Sequence, residues 1–127
     1  MKKETAQKAA KWWADRLRSP AKLDNGDDSS TGAMTLMMAT MLQTKERTRL
    51  DTAKIDAFEK ELTQLILDSG YLTISVDYGP DWMLMQASEK AGLDLGMCTL
   101  PWKTTMWLNR DDTIKVAEGY RAEAVEI

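Results

Sequence analysis

The segment Ser75-Val76-Asp77-Tyr78-Gly79-Pro80-Asp81 gathers two carboxylates and a phenol over a few residues. Asp77, Tyr78 and Asp81 could share acid–base work if a neighbour raised the pKa of one carboxyl. Such a reaction needs a third group, and no residue nearby in sequence supplies one. Each residue here also has a plainer role. Asp81 suits the N-cap of a following helix, Gly79 supplies a turn, and Pro80 fits the approach to a helix. A second oxygen-rich stretch, Asp24-Asn25-Gly26-Asp27-Asp28-Ser29-Ser30, has the donor types for Ca²⁺ or Mg²⁺. Its spacing fails the EF-hand pattern, and a turn leading into a helix cap explains it as well.

Histidine is absent and Cys98 is the one cysteine. Histidine-dependent nucleophilic catalysis, His-ligated zinc and Cys₄ zinc sites are therefore excluded, along with any internal disulfide. Cys98 has no histidine to activate it, so it reads as a small buried hydrophobe. No cofactor and no resident metal are expected.

Aromatic and sulfur-bearing residues stand out more than catalytic ones. Five tryptophans and nine methionines are many for 127 residues. Trp102-Lys103 followed by Trp107 interleaves aromatic rings with a cation, a pattern that stacks bases or grips a peptide. Trp12 and Trp13 are adjacent, so on a helix they point about 100° apart. One can enter the core, and the other needs a second surface to cover it. Trp82 opens an apolar run, Trp82-Met83-Leu84-Met85, that leaves a short helix no polar face in its first turn. Tryptophan is enriched at interface hot spots, and methionine on surfaces that bind proteins.

Charge is unevenly distributed. The chain carries a net −3 with a pI near 5.0, which argues against direct binding to nucleic-acid backbones. Residues 1–23 nevertheless hold seven basic residues against two acidic ones. A basic first helix on an acidic body is the result. The apolar fraction of 43% is that of an ordinary globular protein. No stretch approaches the roughly 18 consecutive apolar residues of a membrane span, and the opening MKKETAQKAAKWW lacks a secretory apolar core. A cytoplasmic protein is expected.

The elements that would carry these groups follow from periodicity. Ala6, Ala9, Ala10, Trp13 and Leu17 recur at helical spacing over 2–18, and Pro20 ends the run. A second helix is expected over 32–45. Its residues Met34, Leu36, Met37, Met38, Met41 and Leu42 cover more than one stripe, which suits a buried helix or a homodimer contact from Met34 to Leu42. Ile55, Phe58, Leu62, Leu65 and Ile66 define a third helix over 52–68, capped by Asp51 or Thr52 and stopped by Gly70.

After Gly70 the period becomes two. Leu72, Ile74 and Val76 read as a strand with one buried face. A short helix is expected over 82–91, then a short strand at 97–100. A hairpin from Thr104 turns at Arg110-Asp111-Asp112 and returns through Ile114 and Val116. A last strand is expected over 121–126. The whole is a single α+β domain over 1–127: three N-terminal helices and one later short helix packed on a mostly antiparallel sheet of about four strands.

Three strings, NGDDSSTG (25–32), SVDYGPD (75–81) and LPWKTTMW (100–107), resemble those of small uncharacterised proteins from phages and mobile elements of Gram-positive gut bacteria. The resemblance implies a setting in which single-domain acidic inhibitors of host defence, anti-CRISPR proteins among them, are common. It carries no catalytic residue. Together these features point to a non-enzymatic protein-binding protein, with Trp12, Trp82, Trp102, Lys103, Trp107, Asp77, Tyr78 and Asp81 as candidate binding residues. The alternatives are a small metal-dependent or acid–base enzyme using Asp77, Tyr78 and Asp81, and a structural or regulatory homodimer.

Overall fold

A computed structural model describes residues 1–18, 50–77, 79–95, 100–119 and 121–127. Helix α1 (Lys3–Arg18) buries Thr5, Ala6, Ala9, Ala10, Trp13, Ala14 and Leu17 on one side. Four alanines on that side let the helix axis come close to its neighbour, and Trp13 fills the space between them. The neighbour is α2 (Thr52–Ser69), which turns Ile55, Phe58, Leu62 and Ile66 inward. Asp51 caps α2 by accepting the Ala53 N–H at 2.9 Å. Gly70, at φ 78°, ends it while donating its own N–H to Ile66.

Strand β1 (Thr73–Val76) follows, then α3 (Trp82–Ala91), which packs on α2 and stops at Gly92 in the left-handed conformation. Strands β2 (Thr104–Leu108), β3 (Ile114–Ala117) and β4 (Val125–Glu126) complete a four-stranded antiparallel sheet in the order β1-β2-β3-β4. The register aligns Ile74, Met106, Val116 and Val125 across the sheet. All but Val125 in that row are buried, and with Val76, Leu108 and Ile114 they join the helical side chains in one core. On the opposite face Thr73, Trp107, Lys115 and Glu126 form an exposed row, while Ser75, Thr105 and Ala117 beside them are partly covered.

The α+β class and the antiparallel sheet match the sequence pattern, as does the turn at 110–112. Asp112 takes a left-handed φ of 63° there, which lets a three-residue connection close the β2–β3 hairpin. The helix count differs. Among the described residues there are three helices, two before β1 and one after it, so the expected three N-terminal helices are not matched. The expected helix over 32–45 and its dimer contact over 34–42 lie outside the described residues, as do the acidic loop 24–28, residues 97–99 of the short strand expected at 97–100, Tyr78 and Cys98. The last strand is also shorter than expected. Gly119 and Arg121 take positive φ values of 102° and 58°, which bend the chain and delay pairing until Val125.

One guanidinium ties the helices together. Arg18 reaches Asp15 on its own helix and Asp56 and Glu59 on α2, each at 2.8 Å. Burial works against the Arg18 charge, but hydrogen bonds to Asp15, Glu59 and Asp56 outweigh it and raise its pKa. Burial likewise pushes the Asp15 carboxyl up, yet bonds from Lys11 and Arg18 hold it below its ordinary value of 3.8. Because the folded value is depressed, this contribution to stability is present above that value and disappears as the pH falls through the folded one. Asp15→Asn is therefore expected to lower the unfolding midpoint at pH 7, by an amount that shrinks as the pH falls below the ordinary carboxyl value of 3.8. Arg18→Ala should cost about 1 kcal/mol at pH 7, the scale of a small exposed ion-pair network. Thermal melts of both variants across pH check these expectations.

Candidate functional site

The junction between β1 and α3 separates its two carboxylates by task. Asp81 caps α3 with Oδ1, which accepts the Leu84 N–H at 3.2 Å, while Oδ2 accepts the Ser75 N–H at 2.8 Å. The Asp81 N–H in turn donates to the Ser75 carbonyl at 3.2 Å. Both carboxylate oxygens are thus engaged by backbone, as in a cap that also clasps the preceding strand. Asp77 is exposed and pairs with the Lys103 ammonium. Lys103 also donates its backbone N–H to the Asp77 carbonyl at 3.0 Å and holds a left-handed φ of 56°. That conformation is uncommon for a long side chain. Asp81→Ala is expected to cost about 2 kcal/mol, from one lost N-cap and one orphaned strand N–H. Asp81→Asn, which keeps one accepting oxygen, should cost about half as much. Chemical denaturation with far-ultraviolet circular dichroism measures both.

The tryptophans occupy distinct settings. Trp13 is fully buried, and its indole N–H has no hydrogen-bond partner among the described residues. Trp102 is half-buried against the core. Trp107 stands on the open sheet face beside Thr73 and Lys115, at the margin of exposure. Trp82 is 65% exposed, the largest value for a large apolar side chain among the described residues. Met85, one turn further along α3, is 43% exposed on the same side. Met83, Leu84, Ala87 and Ser88 take the buried side of that helix. The apolar excess of the first turn of α3 therefore divides, half into the core and half to the surface.

Trp12 lies on the flank of α1 that turns toward the last two strands. Its ring meets Trp13 edge-on, with centroids 4.9 Å apart and an interplanar angle of 84°. The Arg16 guanidinium covers its face at 4.0 Å from the centroid. Arg16 also forks onto Glu118, with Nε 2.6 Å from Oε2 and Nη2 3.2 Å from Oε1. This stacked and paired guanidinium forms one end of an open groove of about 330 Å³. Val116, Ala122, Val125 and Ile127 provide its apolar surface, and Glu118 and Glu123 its acidic rim. Of these residues, only Trp12 is a candidate binding residue in the sequence, and Val116 is expected there simply as part of a strand. The available signal was the alternation of Val125 and Ile127 with Glu126, which places two apolar side chains on one side of a terminal strand.

Among the described residues no group of three or more acidic, cysteine or histidine side chains is placed to hold a metal ion. No described helix is long and apolar enough to cross a membrane. No protein-family model matches the chain, and no curated protein matches it in sequence.

Proposed function

We propose that the protein is a non-enzymatic protein-binding protein that meets its partner through the outward side of α3. The observation that supports this is Trp82, 65% exposed at the first position of α3 with Met85 beside it. A large indole on a rigid helix start is an effective anchor, because little freedom is lost when it enters a partner's pocket. The Asp81 clasp fixes that helix start to β1, so Trp82 is held on a well-supported element. Methionine next to it adapts to the surrounding contour.

The narrower version, an inhibitor of a bacterial defence nuclease of the anti-CRISPR kind, is supported by the resemblance of three sequence strings alone. A bacterium with an active CRISPR system, expressing this chain and challenged with a targeted phage, is the direct test. Restored plaque formation is expected with the natural chain. Trp82→Ala should abolish it while leaving the melting temperature within a few degrees. Loss of an anchor tryptophan typically costs about 2 kcal/mol or more, roughly thirtyfold in affinity. Plaque formation unaffected by the chain would remove the inhibitor version. A captured partner that binds Trp82→Ala and Met85→Ala variants as tightly as the natural chain would remove the α3 surface.

A further inference from the structure

The two edges of the sheet are finished differently. At β1 the Ser75 N–H and carbonyl are both engaged by Asp81, so an incoming strand would have to displace it. Across the sheet, the core-facing row Ile74, Met106, Val116 and Val125 stays covered until its last member. Ile74 and Met106 are fully buried and Val116 is 4% exposed, whereas Val125 is 62% exposed. The buried row stops one strand short of closure.

Backbone groups are open at the same place. The Ile127 N–H donates to the Ile114 carbonyl at 3.0 Å, which makes these two a hydrogen-bonded pair of the β3–β4 ladder. In an antiparallel ladder the neighbouring residue points its N–H and carbonyl the other way. Glu126 accordingly turns both groups outward, and no described residue takes them.

The groove beside this edge sets the chemistry of an occupant. Val116, Val125 and Ile127 line it with apolar surface, and Trp12 adds a half-buried indole. Of its three charged residues, Arg16 and Glu118 are committed to each other, and Arg16 also to the Trp12 ring. Glu123 is exposed and has no hydrogen-bond or ion-pair partner among the described residues, so the uncompensated charge in the groove is negative. On the other face of β4, Glu126 has Lys115 beside it in register and selects less strongly. The segment 122–127 of a second copy carries two acids and no base, which is the wrong complement for Glu123.

We propose that β4 accepts an extended segment of another protein as an added antiparallel strand, with apolar side chains against Val125 and Ile127 and a Lys or Arg against Glu123. Main-chain bonds to Glu126 hold the strand, and alternate side chains entering the groove select it. A long basic side chain suits the groove twice over, since its aliphatic stem lies along apolar surface while its head reaches the carboxylate. This surface shares no residue with α3, so it is independent of the contact through Trp82.

Nuclear magnetic resonance titration of the isotope-labelled full chain with the end-blocked peptide Val-Thr-Val-Thr-Lys-Thr tests the proposal. Shifts are expected at the amides of β3 and β4 and at the Trp12 indole, with Trp82 unmoved. The same peptide with Glu in place of its Lys should bind about fivefold more weakly, the scale of one exposed charge pair turned from attraction to repulsion. Glu123→Lys should reverse that preference. Glu126→Pro removes an outward N–H, which an edge strand tolerates, and should abolish the shifts. Circular dichroism verifies that each variant is folded, and the charge reversal at exposed Glu123 carries the test if the proline variant is not. Absence of shifts at millimolar peptide overturns the proposal, as do equal affinities for the two peptides or binding that survives Glu126→Pro. Self-association of the natural chain that Glu126→Pro abolishes overturns the foreign strand in favour of a second copy.

Discussion

The seating of α1 decides what the rest of the molecule can present. Its alanine-lined side admits α2 closely, and Trp13 is the one large side chain that locks into the space left over. Rotation by a single residue would exchange Trp13 for Trp12. With the rotation fixed, Trp12 has to emerge beside the last strands, and Arg16, one turn on, falls over its ring and within reach of Glu118. The groove is thus a by-product of how the helix buries its other side. Arg18 contributes in the same direction by fastening the end of α1 to two acids of α2.

A single carboxylate plays a comparable part at the other end of the sheet. Asp81 joins an element of helical period to one of period two, and it satisfies donors from both. An N-cap bond is local and is usually argued from a few consecutive residues. The bond to Ser75 returns to the preceding strand, so the same side chain fixes where α3 begins and how it lies relative to β1. Trp82, immediately after it, inherits that fixed position.

Much of this architecture was legible in the residues because it depends on local periodicity. The helices over 3–18, 52–69 and 82–91, the stops at Gly70 and Gly92, and the hairpin turn at 110–112 all follow from spacing and from turn-forming residues. The length of β4 did not, since nothing local announces that Arg121 will adopt a positive φ. Nor did the strained backbone of Lys103, a residue with no intrinsic preference for that region. The candidate surfaces were legible only in part. Sequence marks Trp12, Trp82 and Trp107 as notable, but their exposure depends on which neighbours other elements bring. Glu118 and Glu123 acquire meaning only when β3 and β4 come alongside α1, a juxtaposition set by tertiary packing.

The bonds from Lys2 to Asp112 and from Arg16 to Glu118 join residues 110 and 102 positions apart. Closing a loop of that size is entropically slow, and it cannot begin until β3 has been made. On a ribosome, α1 emerges well before β3 and meets this part of its surroundings late. Until then the cover Trp12 can have from its own helix is Arg16 and Trp13, and the lysines and arginines of that helix help keep it in solution. Its positive charge then serves solubility during synthesis as well as any contact in the finished molecule.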